Sequence, residues 1–563
     1  MLSKKRRNGK LCLSLAVALI FGAASSVSGF DKPDAGKTAG SLEERKIFER
    51  SQSDVNIEIE QQGKSVSPST QGPRVKVAGV HITGQTIFSE DRLRAVVQDT
   101  LGRELTLSQL EDLAARIAEY LHEQGYIVAY AYIPAQDIKD GVVEIAVEIG
   151  QYGDLDIRNH SQLADSAVDR LLSSIKSGDY IKSDSLERAL LLLNDTSGVN
   201  VQATLAPGKT SGTADLIVEI NDTAKTTGQI SIDNYGIRFT GQIRGSISLT
   251  ANNPSGLGDA VNIREITAGR GLNDTTWNYL LPVGGQGLRL GLGYAQLHYA
   301  LREDFADLNA SGESKTTGIY VTYPLVRSRN YNLYSRIGYE HKKLEDRIDA
   351  LASITDKRAQ VWAFGLSGDS RDKWGGGGIN SFALTFAAGS LTIDSSEAQA
   401  IDSITAQTAG SYSKANISFS RMQYLNSRLT FYLGLTGQFA DKNLDSSEKL
   451  CLGGVNGVRA YPQSEASGDQ GYLVNGELRW NLPTPAFQLA AFIDSGQITI
   501  NKKPWPDAGV NSRHLTGAGL GLIFSKAEDY SIRLDYAWKL TSDPATADTD
   551  KSGRFWLQGV KNI

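Results

Sequence analysis

Cysteine is nearly missing from this 563-residue chain, with Cys12 and Cys451 its only two. Cys12 falls inside an N-terminal apolar run, so the remainder can build neither an intrachain disulfide nor a Cys-x-x-Cys centre. Histidine is scarce too, six scattered residues, and neither G-x-S-x-G nor H-E-x-x-H occurs. No catalytic, metal or cofactor site is expected. Beyond the N-terminus no segment approaches about 18 consecutive apolar residues, which excludes a helical membrane protein but not a β-barrel, whose strands alternate. Excess positive charge is also lacking, with a formal net charge of −5. Proline is sparse at 14 against 57 Gly, 22 Tyr and 16 Phe, a mixture that favours strands joined by tight turns.

The chain opens with a basic run (Lys4, Lys5, Arg6, Arg7, Lys10), an apolar stretch from Leu11 to about Ala24, and small residues. That is the plan of a secretory signal peptide, expected over residues 1–29. Its removal takes away five basic residues and no acidic one, so the net charge moves from −5 to −10, against a nucleic-acid partner. Ser41-Leu-Glu-Glu44 has capping-box spacing and predicts a short helix over about 41–51 within the region 30–52. That helix carries Glu43, Glu44, Arg45, Lys46, Glu49 and Arg50, so it belongs in water or in a hydrated cavity. Residues 53–73 read as a flexible linker.

From Val75 the order is strand, helix, helix, strand, strand. The second helix starts on Thr106 and Gln109 in capping-box register, with Leu107, Leu110, Leu113, Ile117 and Leu121 as its apolar stripe. The same order returns about 75 residues later, giving tandem α/β units over 74–150 and 151–223. APGKTSG at 206–212 lacks the first P-loop glycine and falls in a hairpin turn, so it is no nucleotide site.

Helical periodicity disappears over 224–563. In SIRLDYAWKL, Ile532, Leu534, Tyr536, Trp538 and Leu540 share one face, opposite Arg533, Asp535 and Lys539. Such alternation suits a membrane barrel wall around a wet lumen, and a soluble sandwich would alternate as well. Parity separates the two. Sixteen strands can be counted, with short connections after most even-numbered ones and long polar connections after most odd-numbered ones. An even count lets the first and last strands pair and close the sheet.

Between strands 11 and 12 lies Val458-Arg459-Ala460-Tyr461, and strand 13 carries Phe492-Ile493-Asp494-Ser495-Gly496. With this architecture around them, the two motifs resemble the Val-Arg-Gly-Tyr loop and Phe-x-Asp-x-Gly strand of the two-partner secretion transporters, the TpsB family. The resemblance implies a mainly β fold: a 16-stranded transmembrane barrel in the outer membrane, two periplasmic POTRA domains and an N-terminal plug helix. It implies transport of an unfolded exoprotein without nucleotide hydrolysis, the cargo being an adhesin, cytolysin, contact-dependent toxin or haem-binding protein. Outer-membrane lipids and the barrel-assembly machinery are the other implied partners. Phe492, Asp494 and Gly496 share a face by the period of two, so Asp494 points into the lumen. The resemblance implies that the sixth long loop folds into the barrel and that Arg459 meets this carboxylate as a latch. Two departures stand out: Ala460 replaces glycine, which would be strained if φ there is positive, and the chain ends in Ile563 instead of an aromatic residue. Competing readings are a barrel-assembly factor of the same superfamily, which would carry a longer repeat arm, and a passive porin or receptor, which would need none.

Overall fold

The computed structural model describes residues 32–42, 55–59, 73–484, 486–526 and 529–563. The expected signal peptide, positions 43–51 of the expected helix and most of the expected linker lie outside the described residues.

Two N-terminal expectations need correction. Helix α1 spans Ala35–Leu42, ahead of the capping box proposed at Ser41. Its cap is Asp34, whose Oδ1 accepts from the Lys37 amide at 2.7 Å. Ser41 is instead inside the helix and donates its hydroxyl to the Thr38 carbonyl at 2.7 Å. Second, a strand β1 (Asn56–Ile59) forms inside the expected linker and pairs in parallel with a strand of the second α/β unit.

The first unit comprises β2 (Arg74–Lys76), β3 (Gly79–Thr83), α2 (Glu90–Val96), β4 (Glu104–Thr106), α3 (Leu107–Glu123), β5 (Ala129–Tyr132) and β6 (Val142–Ile149). The single strand expected at its start is split: β2 pairs with β4, whereas β3 joins the β3-β6-β5 sheet. Both bonds of the α3 capping box are made. Leu110, Leu113, Ile117 and Leu121 are buried, but Leu107, in the first turn at the end of the stripe, is exposed. The second unit repeats the order with β7 (Gln151–Asn159), α4 (Asp165–Leu172), α5 (Ser183–Asn194), β8 (Val199–Pro207) and β9 (Thr213–Asp222). Its sheet runs β1-β8-β9-β7, so the edge that β5 leaves unpaired among the described residues of the first unit is covered by β1 in the second.

Sixteen strands, from β10 (Thr226–Asp233) to β27 (Gly553–Asn562), close an antiparallel barrel. Two further strands, β21 (Leu450–Cys451) and β22 (Ser467–Gly468), form a separate ladder within one loop. β10 pairs with β27, and the terminal Ile563 exchanges two backbone hydrogen bonds with Gly228, both 2.9 Å, so the last residue completes the seam. Ile532, Tyr536 and Trp538 face outward while Asp535 and Ala537 are buried inside, the polarity of a wall between lipid and a wet lumen. The second unit is clamped to the barrel: Arg327, on the short-turn rim, grips Asp195 just after α5 with two bonds of 2.7 and 2.8 Å. Helix α1 lies within the loop end of the barrel, Ala35 against Tyr299 and Leu344, Leu42 against Ile266 and Leu297.

Candidate functional site

The sixth long loop spans residues 441–469, between β20 (Leu429–Ala440) and β23 (Gln470–Asn481). The β21–β22 ladder zips its base, and its tip turns back into the lumen. Leu452, Val458, Ala460 and Tyr461 are fully buried there. Gly454 has φ +109°, and the Val458 amide donates to the Leu452 carbonyl at 2.7 Å, so the tip is a tight reverse turn.

The turn presents Arg459 to strand β24 (Phe487–Thr499). Its Nε donates to Asp494 Oδ2 at 2.8 Å and its Nη2 to Asp494 Oδ1 at 2.9 Å, the two-pronged grip that a planar guanidinium allows. Nη1 donates to Glu477 Oε2 on β23 at 2.7 Å, and more distantly to Asp535 Oδ2 on β26 (Tyr530–Lys539) at 3.4 Å. The guanidinium carbon sits 3.3 Å from the centre of the Phe492 ring, a cation–π contact within the same strand motif. Trp556 Nε1 donates to the Arg459 carbonyl at 2.7 Å.

Charge is balanced within this buried cluster. Asp494, Glu477 and Asp535 face Arg459, Arg479 and Arg533, and Glu477 is held by all three arginines. Burial works against the Arg459 charge, but the hydrogen bonds and charge of Asp494, then those of Glu477, outweigh it and raise its pKa. Removing any one member would leave a buried charge without its counterpart.

The other motif residues make room and add anchors. A Cβ at Gly496 would meet Leu452 of the loop at 2.8 Å and the Tyr472 carbonyl at 2.9 Å, so the glycine lets the tip press on the wall. Val458 packs with Leu452, Leu473 and Phe492. Tyr461 Oη lies 2.9 Å from Thr541 Oγ1 and donates to the Asp543 carbonyl at 2.9 Å, tying the tip to the last long loop. Ala460 does not have a positive φ. Its methyl lies against Gly517 of β25 (Ser512–Lys526), where any Cβ would collide with it.

Glu477, Arg479 and Trp556 belong to the cluster without having been singled out in the sequence. Alternation in β26 already put Arg533 and Asp535 on the lumen face. Glu477 could have been found by register: it stands opposite Phe492, and Asn475 opposite Asp494.

Comparison with known proteins places this geometry. Residues 212–524 match the haemolysin secretion/activation protein family ShlB/FhaC/HecB, and residues 75–150 match the ShlB-type POTRA domain. The heme/hemopexin transporter protein HuxB of Haemophilus influenzae strain Rd is 30% identical over 569 residues, covering 98% of each chain. The outer membrane transporter CdiB of Dickeya dadantii is 21% identical over 424 residues, 73% of each chain. Among solved structures, CdiB from Escherichia coli superposes with a TM-score of 0.70 at 19% identity, over 89% of this chain and 93% of that one, which speaks to the fold. The chain therefore belongs to the ShlB/FhaC/HecB family: it is an outer-membrane β-barrel transporter with periplasmic POTRA units that translocates a partner exoprotein in two-partner secretion.

Proposed function

We propose that the transporter is a gated protein-conducting pore in which loop 441–469 is the latch and α1 the plug. The buried, charge-balanced cluster around Arg459 carries this reading, because a loop needing only to be displayed outside would not send its guanidinium against three inward carboxylates. The working parts are a signal peptide (1–29), a plug region (30–52), a connecting segment (53–73), POTRA domains at 74–150 and 151–223, and the barrel from 224 onward. Cargo enters as an extended chain. The open edge of β5, with Tyr130 and Tyr132 exposed on it, offers main-chain pairing and aromatic contact to such a segment. The barrel-assembly machinery inserts the chain, and outer-membrane lipids surround it. No covalent chemistry and no nucleotide are involved. Likeness to HuxB across the full length favours a haem-binding exoprotein over an adhesin, cytolysin or contact-dependent toxin.

The test is export by Arg459→Ala and Asp494→Ala variants. Each leaves charge uncompensated at a cost of about 3–5 kcal/mol in a dry site, less in a hydrated lumen. Both are expected to insert and migrate as folded barrels yet secrete poorly. Parental secretion by both would defeat the latch.

A further inference from the structure

The sixth loop is fixed at a second place, remote from Arg459, and that place touches the plug. A single turn of 3-10 helix, Ser446–Glu448, follows Asp445, whose carboxylate accepts from the Ser447 amide. Lysines of three wall strands hold it: Lys357 on β17 (Ser353–Asp372) reaches Asp445 at 2.7 Å, Lys342 on β16 (Tyr331–Ile348) reaches Glu448 at 2.8 Å, and Lys414 on β19 (Gly410–Tyr424) reaches Glu448 at 2.7 Å. Asp445 and Glu448 are buried, so this is a built anchor and not a chance surface pairing.

Between these acids, the Ser446 side chain and the Ser447 backbone face α1. Ser446 Oγ donates to Asp34 Oδ1 at 2.9 Å, the same oxygen that caps the helix. Gly36 presses so closely that a Cβ there would lie 2.5 Å from the Ser447 amide nitrogen and 2.9 Å from its Cα. At the other end of the helix, Gln463 of the loop donates to the Ser41 carbonyl at 3.3 Å. The barrel wall holds the N-terminus through Asp346, which accepts from the Ala35 amide at 2.8 Å. The helix itself, AGKTAGSL, has two glycines in eight residues. Two glycines lower the helix propensity of these eight residues, so their shape leans on what they rest on.

We propose that the turn 445–448 is the seat of the plug, and that Lys342, Lys357 and Lys414 are positioning residues that retain the plug through this turn, independently of the Arg459 cluster. Latch and seat then lie on one loop, and withdrawal of the loop releases the helix. The inference rests on the reading of α1 as the plug.

The test uses the full-length transporter in planar bilayers, with an Asp34→Cys/Ser446→Cys pair in a Cys451→Ser background to report seating by oxidative crosslinking. Lys342→Gln/Lys357→Gln/Lys414→Gln is expected to cut the crosslink yield and raise open-channel time, each at least fivefold, with the barrel still folded by heat-modifiable migration. Parental yield and closure in that variant would overturn the seat. Should the triple variant fail to insert, Lys357→Gln and Gly36→Val decide. The valine alters no wall residue and is expected to open the channel comparably, and closure at the parental level in both would overturn the proposal. Deletion of residues 32–42 separates the two readings. If that deletion leaves the pore closed, the plug reading fails. If it opens the pore while the lysine and glycine variants stay closed, the seat alone fails.

Discussion

Gly517→Ala should loosen the latch without touching any charge. A Cβ at 517 would collide with the Ala460 methyl and come within 3.0 Å of the Trp538 carbonyl, in a region where Ala460 is fully buried. Neither neighbour can yield easily, since one is a β-carbon and the other a ladder carbonyl. Overpacking of this kind costs about 1–3 kcal/mol, which shifts the docked-to-withdrawn equilibrium of the loop roughly 5- to 150-fold. The clash has two partners, and only one can be removed by mutation. Ala460→Gly in the Gly517→Ala background should therefore restore most of the docking, whereas Ala460→Gly alone should change little. The assay is limited proteolysis of the loop in detergent-solubilised barrels, with channel conductance in parallel. If the double variant is as susceptible as Gly517→Ala, the Ala460–Gly517 contact does not set the fit and the reasoning is wrong.

Arg459→Lys keeps the charge but loses the two-pronged bond, so it should secrete less than the parent and more than Arg459→Ala, read by cargo in the medium at equal barrel levels. Asp195→Ala would remove the carboxylate that Arg327, 4% exposed, grips with two bonds. It should loosen the second POTRA unit by about 3 kcal/mol, visible as faster hydrogen exchange in α5 and the 328–330 turn. Deleting Ile563 removes two backbone bonds at the seam, each worth about 1 kcal/mol net. It should lower the temperature at which the folded barrel loses its heat-modifiable migration, and an unchanged midpoint would mean the seam is held elsewhere.

Much of the barrel was legible because each wall strand obeys a local rule. Lipid on one face and water on the other impose a period of two, and the membrane imposes an alternation of short and long connections, so the count of sixteen agrees with the closed barrel. The α3 capping box was legible for the same reason, being a contact between residues three apart. What escaped depends on distant partners. AGKTAGSL has poor helix propensity and is helical because the loop and wall pack against it, whereas SLEE offered a local signal ahead of residues that lie outside the described chain. Asn56–Ile59 is a strand because β8 presents an unpaired edge, which its own four residues do not announce. At the site, two motifs thirty-five residues apart name Arg459 and Asp494. Glu477 carries no motif, and only strand register brings it to the same guanidinium.

In this mechanism the POTRA units deliver one partner to this pore. Its most direct measurement is cargo at the surface and in the medium of cells whose transporter lacks residues 74–222, alongside the abundance of their other outer-membrane proteins. Export of that one cargo is expected to be lost, with the other barrels at parental levels. A general fall in outer-membrane proteins with cargo export preserved would contradict it and make the chain an assembly factor.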